Sequence, residues 1–366
     1  RDRPGPEWVR VRTRYAGICG SDIHQIHLDD SPYVTPFASP SFICGHENVG
    51  VIEEAGPQAG DFHVGERVIV DPVLACPARG IEPPCRHCWD GEYPRCENFA
   101  EGNLPPGLII GACAATGGTW SESFVAHRFQ IFRVPAGVSD ENAAVLDSFC
   151  SALHPVMRAF PRDDETVLVL GAGVIGISVV AALRTLGSRA HIIVMARYPF
   201  QGEAAQHHGA DQVIYTREAD AYQAFAEAVG AKLYRPMLGK RVLAGGADVV
   251  FECVGTDDTI DDALRFTRPG GRMVLIGLAG TTRKVDWTPL WFKELTVIGT
   301  QSSSTEEYQG QRVRCYQLAL DWMAEGKLDL SPLLTHTFPL DDYRRAIAET
   351  SHKGRHRVIK SAFRFF

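Results

Sequence analysis

Apolar and polar residues follow two different textures along this chain, and the change falls near residue 160. Before it, short strand-like runs sit between Gly, Pro and Asp turns. Examples are Trp8-Val-Arg-Val-Arg-Thr-Arg-Tyr15, Glu66-Arg-Val-Ile-Val70, Ser123-Phe-Val-Ala126 and Gln130-Ile-Phe-Arg-Val134. Residues 1–157 therefore read as an irregular, mostly β domain. From Glu165 onward, apolar strands alternate with helical stretches. Val167–Leu170 leads into a helical Val174–Leu186, then His191–Val194, and later Asp248–Phe251, Arg272–Ile276 and Leu295–Ile298. Continuous apolar strands between helices predict a doubly wound parallel sheet covered on both faces, over residues 158–301. Beyond it the pattern predicts a helix over Gln311–Ala324. Two β-like segments follow, Thr335–Phe338 and Arg357–Lys360, which return residues 302–366 to the first domain and make it discontinuous.

Length agrees with two domains, because 366 residues exceed what one hydrophobic core supports. A net charge of −7 argues against nucleic acid or an anionic membrane as partner. No apolar run is long enough to span a bilayer, and no secretory h-region is present. Ten cysteines, four of them clustered, favour a reducing compartment and a cytoplasmic location. The chain opens at Arg1 without a methionine and enters a strand-like run at Trp8, which suggests a longer natural N-terminus.

The cluster is Cys76, Cys85, Cys88 and Cys96. A C-x-x-C turn lets two thiolates converge on one tetrahedral ion, and two further cysteines close the shell, as in structural zinc sites. Downstream, Gly171-Ala-Gly173-Val174-Ile175-Gly176 follows a strand and opens a helix, the placement that a dinucleotide-binding Rossmann turn requires. Gly171 permits the turn, Gly173 lets the backbone approach the pyrophosphate, and Gly176 lets helix and strand pack. An NAD site expects an acid about 20 residues later, to bond the ribose 2′-hydroxyl. Ala196 stands there, followed by Arg197, so NADP(H) is favoured; the alternative leaves Arg197 solvated and NAD(H) bound without the acid.

Two upstream motifs, Gly17-Ile-Cys19-Gly-Ser21-Asp22-Ile-His24 and Ile43-Cys44-Gly45-His46-Glu47, complete a set. In order and content this set resembles the zinc-dependent medium-chain dehydrogenases, nearest the threonine and polyol dehydrogenase branch. The resemblance runs from about residue 7 to residue 360. It implies a GroES-like catalytic domain carrying two zinc ions, beside the Rossmann domain. Cys19 and His46 are expected as catalytic zinc ligands, with Glu47 adjacent as an occasional ligand. Asp147 stands where the third ligand is expected, with Cys150 as competitor. Ser21 and His24 resemble the family's proton relay, Asp22 is a candidate acceptor for a ligand imidazole, and Val254 is expected at the cofactor. The implied activity is hydride transfer between an alcohol, polyol or amino alcohol and NAD(P) in a homo-oligomer, a dimer or tetramer. Two other readings are a reductase working mainly in the carbonyl-to-alcohol direction and a catalytically silent structural member. Two departures stand out. Pro77–Pro84 separates the first two cysteines of the quartet more widely than usual, and Lys232–Leu243 is an unassigned insertion.

Overall fold

The strand Trp8–Ile18 is the spine of the first unit. Through its middle Val11, Thr13 and Tyr15 are buried while Arg12 and Arg14 are exposed, the alternation that a pleated strand imposes. In the computed structural model, which describes residues 5–365, this strand pairs antiparallel with Asn48–Ala55 along one edge. Its other edge is shared between Ser123–His127 and Lys360–Arg364. Arg67–Val70, Ile131–Arg133 and Leu334–Phe338 extend the arrangement to seven strands. Both tail segments thus enter the sheet that the N-terminal strand begins. The core beneath it includes Trp8, Val9, Val11, Ile52, Val68, Leu74, Ile110 and Phe124. Each such side chain contributes about 1.5–3 kcal/mol by leaving water.

The second unit is a six-stranded parallel sheet. Its spatial order is Thr296–Gly299, Thr267–Leu275, Ala247–Glu252, Thr166–Leu170, His191–Ala196, Gln212–Tyr215. Val167, Leu168, Val169, Val249 and Val250 are fully buried, which explains why these strands read as unbroken apolar runs. The order reverses between Thr166–Leu170 and Ala247–Glu252, and the glycine turn lies at that switch point, where open α/β sheets bind ligands. Compactness divides the chain between Cys150 and Ser151, inside the helix Leu146–Arg158, and again between Gln301 and Ser302.

Local elements depart from expectation in three places. Gln311–Arg314 is a strand, paired antiparallel with Thr305–Tyr308, and the helix begins only at Cys315. The reason is the connecting Gln309-Gly310, both at positive φ (51° and 76°), the backbone of a tight hairpin turn. Lys232–Leu243 folds as a second antiparallel hairpin, Lys232–Tyr234 with Val242–Ala244. The last strand starts at Lys360 rather than Arg357, which lies at φ 57°. Among the described residues, no helix is long and apolar enough to cross a membrane.

Candidate active site

Cys19 follows the spine strand and caps the helix Gly20–His27, with extended φ/ψ of −87° and 159°. The buried carboxylate of Asp22, on that helix, joins two loops. Its Oδ2 accepts the Cys19 N–H at 2.8 Å, and its Oδ1 accepts the Gly45 N–H at 3.2 Å. The same Oδ1 lies 3.5 Å from His46 Nδ1. Gly45 is at φ 91°, and a Cβ there would stand 2.2 Å from the Trp120 ring, so only glycine presents His46 in this way. Burial alone would lower the His46 pKa, but Asp22 and Cys19 raise it well above its ordinary value. That is the electrostatic setting of a cation site.

Ligand atoms of Cys19, His46 and Glu47 lie within 4.8 Å of one another. Glu47 is held on both oxygens: Ser148 Oγ donates to Oε1 at 3.0 Å, and the Lys360 ammonium pairs with Oε2. Asp147 is not among the three. Its Oδ1 accepts the Tyr316 hydroxyl, and burial with the Glu47 charge raises its pKa to about 6. The third member of this geometric group is Glu47, and Asp147, where a third ligand is expected, lies outside it. Cys150 also stands outside the group, a fully buried thiol whose pKa burial pushes up. Ser21 and His24 lie on the helix that Cys19 caps, three residues apart and so on neighbouring positions of its surface. His24 is partly exposed, and its Nδ1 is 2.6 Å from Asp29 Oδ1.

Sulfur atoms of Cys76, Cys85, Cys88 and Cys96 form the second group within 4.8 Å. Backbone and side-chain N–H groups point at these sulfurs: Cys85 N and Asn98 Nδ2 at Cys76 (3.4 and 3.2 Å), Asn98 N at Cys96 (3.4 Å). Such donors stabilise thiolates, and a hydrogen bond from the Cys88 thiol to the Cys96 sulfur drives the Cys88 pKa up while the Cys96 pKa falls to about 5. Four soft donors that repel one another as anions suit zinc, which relieves the repulsion. The Cys19–His46–Glu47 set, of sulfur, nitrogen and oxygen, also suits zinc, and with only three protein donors it leaves an open position.

At the glycine turn, Gly171 has φ 101°, and a Cβ on it would stand 2.4 Å from Val254. A Cβ on Gly176 would meet the Gly171 carbonyl at 1.8 Å, whereas one on Gly173 would meet nothing within 4 Å. Gly173 caps the helix Val174–Thr185, so open space lies where its first amides, from Val174 and Ile175, face outward. Ala196 ends its strand fully buried, and Arg197 next to it is exposed.

Relatives agree with this reading. Residues 174–317 match the zinc-binding dehydrogenase family, and residues 5–136 match the alcohol dehydrogenase GroES-like domain. An L-idonate 5-dehydrogenase from Vitis vinifera is 32% identical over 353 residues, covering 96% of this chain and 86% of its own length. The chain belongs to the zinc-dependent medium-chain dehydrogenases. An L-threonine 3-dehydrogenase from Paraburkholderia xenovorans (strain LB400) is 30% identical over 93% of this chain and 87% of its own length. Two solved structures at 25% identity cover all of this chain and 94% of their own. One, described as a zinc-binding dehydrogenase from Sinorhizobium meliloti 1021, has NADP bound (TM-score 0.78). The other, an alcohol dehydrogenase from E. coli CFT073, is complexed with NADH (TM-score 0.77). This medium-chain dehydrogenase is accordingly a zinc-dependent, NAD(P)-dependent oxidoreductase of alcohol-type substrates.

Several residues of this dehydrogenase carry structure that sequence reasoning did not single out. Arg217 stacks over the Tyr198 ring at 4.7 Å, and Arg197 lies 5.8 Å from the same ring, so two guanidinium groups flank one aromatic just past Ala196. The buried Glu252 accepts N–H bonds from Val254 and Gly255 at 2.9 Å and thereby shapes the loop beside Gly171. In the long segment between Cys76 and Cys85, Arg79 is fully buried and donates to five backbone carbonyls. Only Arg197 carried a signal in the sequence, as a basic residue at a strand end; the other contacts come from the fold.

Proposed function

We propose that this dehydrogenase transfers a hydride between a secondary alcohol, polyol or amino alcohol (or the matching carbonyl) and NADP(H). Cys19, His46 and Glu47 hold the catalytic zinc, and Cys76, Cys85, Cys88 and Cys96 hold a structural zinc. The observation that carries this reading is the convergence of a half-buried sulfur with a buried imidazole and carboxylate, next to a helix bearing Ser and His. A zinc ion there supplies Lewis acidity toward a substrate oxygen. The protein's own groups do the rest. Asp22 fixes the His46 ring through Nδ1, which leaves Nε2 for the ion. Ser21 takes the substrate proton and His24, partly exposed, passes it to solvent. Asp147 stands behind the centre as acceptor for Tyr316.

In the dinucleotide unit, Gly171, Gly173, Val174, Ile175 and Gly176 form the pyrophosphate seat, and Val254 packs against it. Ala196, with Arg197 and Arg217 beside Tyr198, forms a cationic seat for a 2′-phosphate. Residues 1–157 with 302–366 make the catalytic domain, and 158–301 the dinucleotide domain. The strand Thr296–Gly299 is a sheet edge, and the nearby Trp291 and Phe292 are exposed (69% and 70%). An unpaired edge beside exposed aromatics favours a homo-oligomer. Ten free thiols favour the cytoplasm.

A panel of secondary alcohols, polyols and amino alcohols, followed at the reduced-nicotinamide absorbance, tests the function. Turnover of at least one class that disappears in Cys19→Ser, with the fold intact, is the expected result. Equal turnover in wild type and Cys19→Ser would refute the assignment.

A further inference from the structure

Two lysines face the group of Cys19, His46 and Glu47, and only one of them has a partner. Lys360, which begins the last strand of the first unit, pairs with Glu47. Lys353 opens the short helix Lys353–His356 just before that strand. The Val358 N–H donates to the Lys353 carbonyl at 3.0 Å, a turn that folds the helix back toward the strand. Lys353 is half-buried, and the charged groups its ammonium faces are Lys360, Cys19 and Glu47. Burial, and then the Lys360 charge, lower its pKa against the pull of Cys19 and Glu47. Among the described residues, no side chain or carbonyl bonds it. The carboxylates around the group are engaged elsewhere. Glu47 accepts from Ser148 Oγ on Oε1 and pairs with Lys360 on Oε2. Asp22 takes the Cys19 and Gly45 N–H groups, and Asp147 the Tyr316 hydroxyl. One ammonium charge is therefore left over, on a wall of the site where water is partly excluded. An incoming anion is attracted there more strongly than at an open surface.

We propose that Lys353 is a specificity residue that pairs with an acid group of the substrate, so that the alcohol this enzyme takes is a hydroxy acid. Its hydroxyl is presented to the Cys19–His46–Glu47 group, and its carboxylate is held by the Lys353 ammonium. This inference rests on the reading of that group as an alcohol-oxidising centre. A lysine offers a point charge with three rotatable donors on a flexible stem. It therefore reads the charge of the acid, and favours it over a neutral polyol of the same length, without fixing which carbon is oxidised.

Matched pairs test this: polyhydroxy acids against the neutral polyols of the same chain length, with kcat/KM followed at the reduced-nicotinamide absorbance. Wild type should prefer the acid of a pair. In Lys353→Met the acid-to-polyol ratio should fall by about tenfold or more, the weight of one charge-assisted contact, and mostly through KM. Lys353→Arg, which keeps the charge, should retain most of that ratio. A merely structural lysine would lower both members of a pair together and leave the ratio where it was, an outcome that overturns the proposal. So does a wild type that prefers the polyols, or a Lys353-dependent preference seen only with a polyol phosphate. Titration calorimetry with the same acids and the reduced cofactor reads the contact without turnover. There Kd should rise by about tenfold in Lys353→Met, and an unchanged Kd would overturn the proposal. Should Lys353→Met fail to fold by circular dichroism, Lys353→Gln, which keeps an N–H donor without the charge, carries the same comparisons. An enzyme that binds the acids through Lys353 yet oxidises no alcohol of either kind would uphold the acid contact and refute the alcohol-oxidising reading itself.

Discussion

Replacing Arg79 by Met should be among the most destabilising single changes in the catalytic unit, although Arg79 touches neither candidate metal group. Its side chain is fully buried, and burial pushes its pKa down against the opposing pull of nearby thiols and Glu101. The guanidinium donates to the carbonyls of Leu74 (2.9 Å), Glu101 (2.7 Å), Leu104 (3.2 Å), Pro105 (3.1 Å) and Gly107 (2.7 Å). It thereby ties the stretch at Leu74 to the loop 101–107, which is otherwise joined to it by the antiparallel bridge between Val73 and Ile109. Methionine matches the length of the side chain but offers no donor, so buried carbonyls are left unsatisfied at about 1–3 kcal/mol each. Two of the five contacts are long and some acceptors lie at the lobe surface, so about 3–5 kcal/mol is expected rather than the full sum. Arg79→Lys keeps the charge with three donors and should fall between the two. Equilibrium urea unfolding of the three proteins, with both midpoint and slope fitted, measures the effect. A loss below about 1 kcal/mol in Arg79→Met, or Arg79→Lys as damaging as Met, would refute the stitching argument.

Two further outcomes follow from the dinucleotide unit. Arg197→Ala and Arg217→Ala should each lower kcat/KM for NADP(H) by about 10-fold or more and leave NAD(H) nearly unchanged, since each removes one charge-assisted phosphate contact; equal losses with both cofactors would sink the 2′-phosphate seat. Lys293 donates to the carbonyls of Arg265 (2.6 Å) and Thr267 (2.8 Å), and burial with the nearby Arg265 charge lowers its pKa from 10.5 to about 8. The folded state therefore binds fewer protons than the unfolded one between those values, so the penalty is full below pH 8 and fades as pH rises toward 10.5. Relative to Lys293→Met, wild-type stability should climb by about 3 kcal/mol across that window; parallel pH profiles would contradict the shift.

Much of the fold was legible because it rests on local periodicity. The alternation in Trp8–Tyr15 marked a half-buried strand, and the unbroken Val167–Leu170 run marked a strand buried on both faces. The order of the motifs was equally plain, since Cys19, His46, the quartet and the glycine turn each depend on short spacings. What stayed hidden depends on residues far apart in the chain. Asp147 was legible by position, but not that the Tyr316 hydroxyl would donate to its Oδ1, nor that its neighbour Ser148 would donate to Glu47. Lys360 looked like one more basic residue near the C-terminus until the last strand placed it beside Glu47. Gln311–Ala324 read as one helix because nothing local announced that Gln309-Gly310 would turn the chain back on itself. Arg79 gave no sign at all, because a lone arginine in a Pro- and Gly-rich loop is ordinarily a solvated one.

The central claim is that two zinc groups divide the work, one assembling the lobe and one serving catalysis. Metal content per chain, measured by elemental analysis on wild type, Cys19→Ser and Cys88→Ser, tests it most directly. Two zinc ions in wild type are predicted, with one in Cys19→Ser, which keeps its fold and loses turnover. Cys88→Ser should also retain at most one and lose stability. One zinc or fewer in fully metallated wild type, or two in an inactive Cys19→Ser, would contradict it.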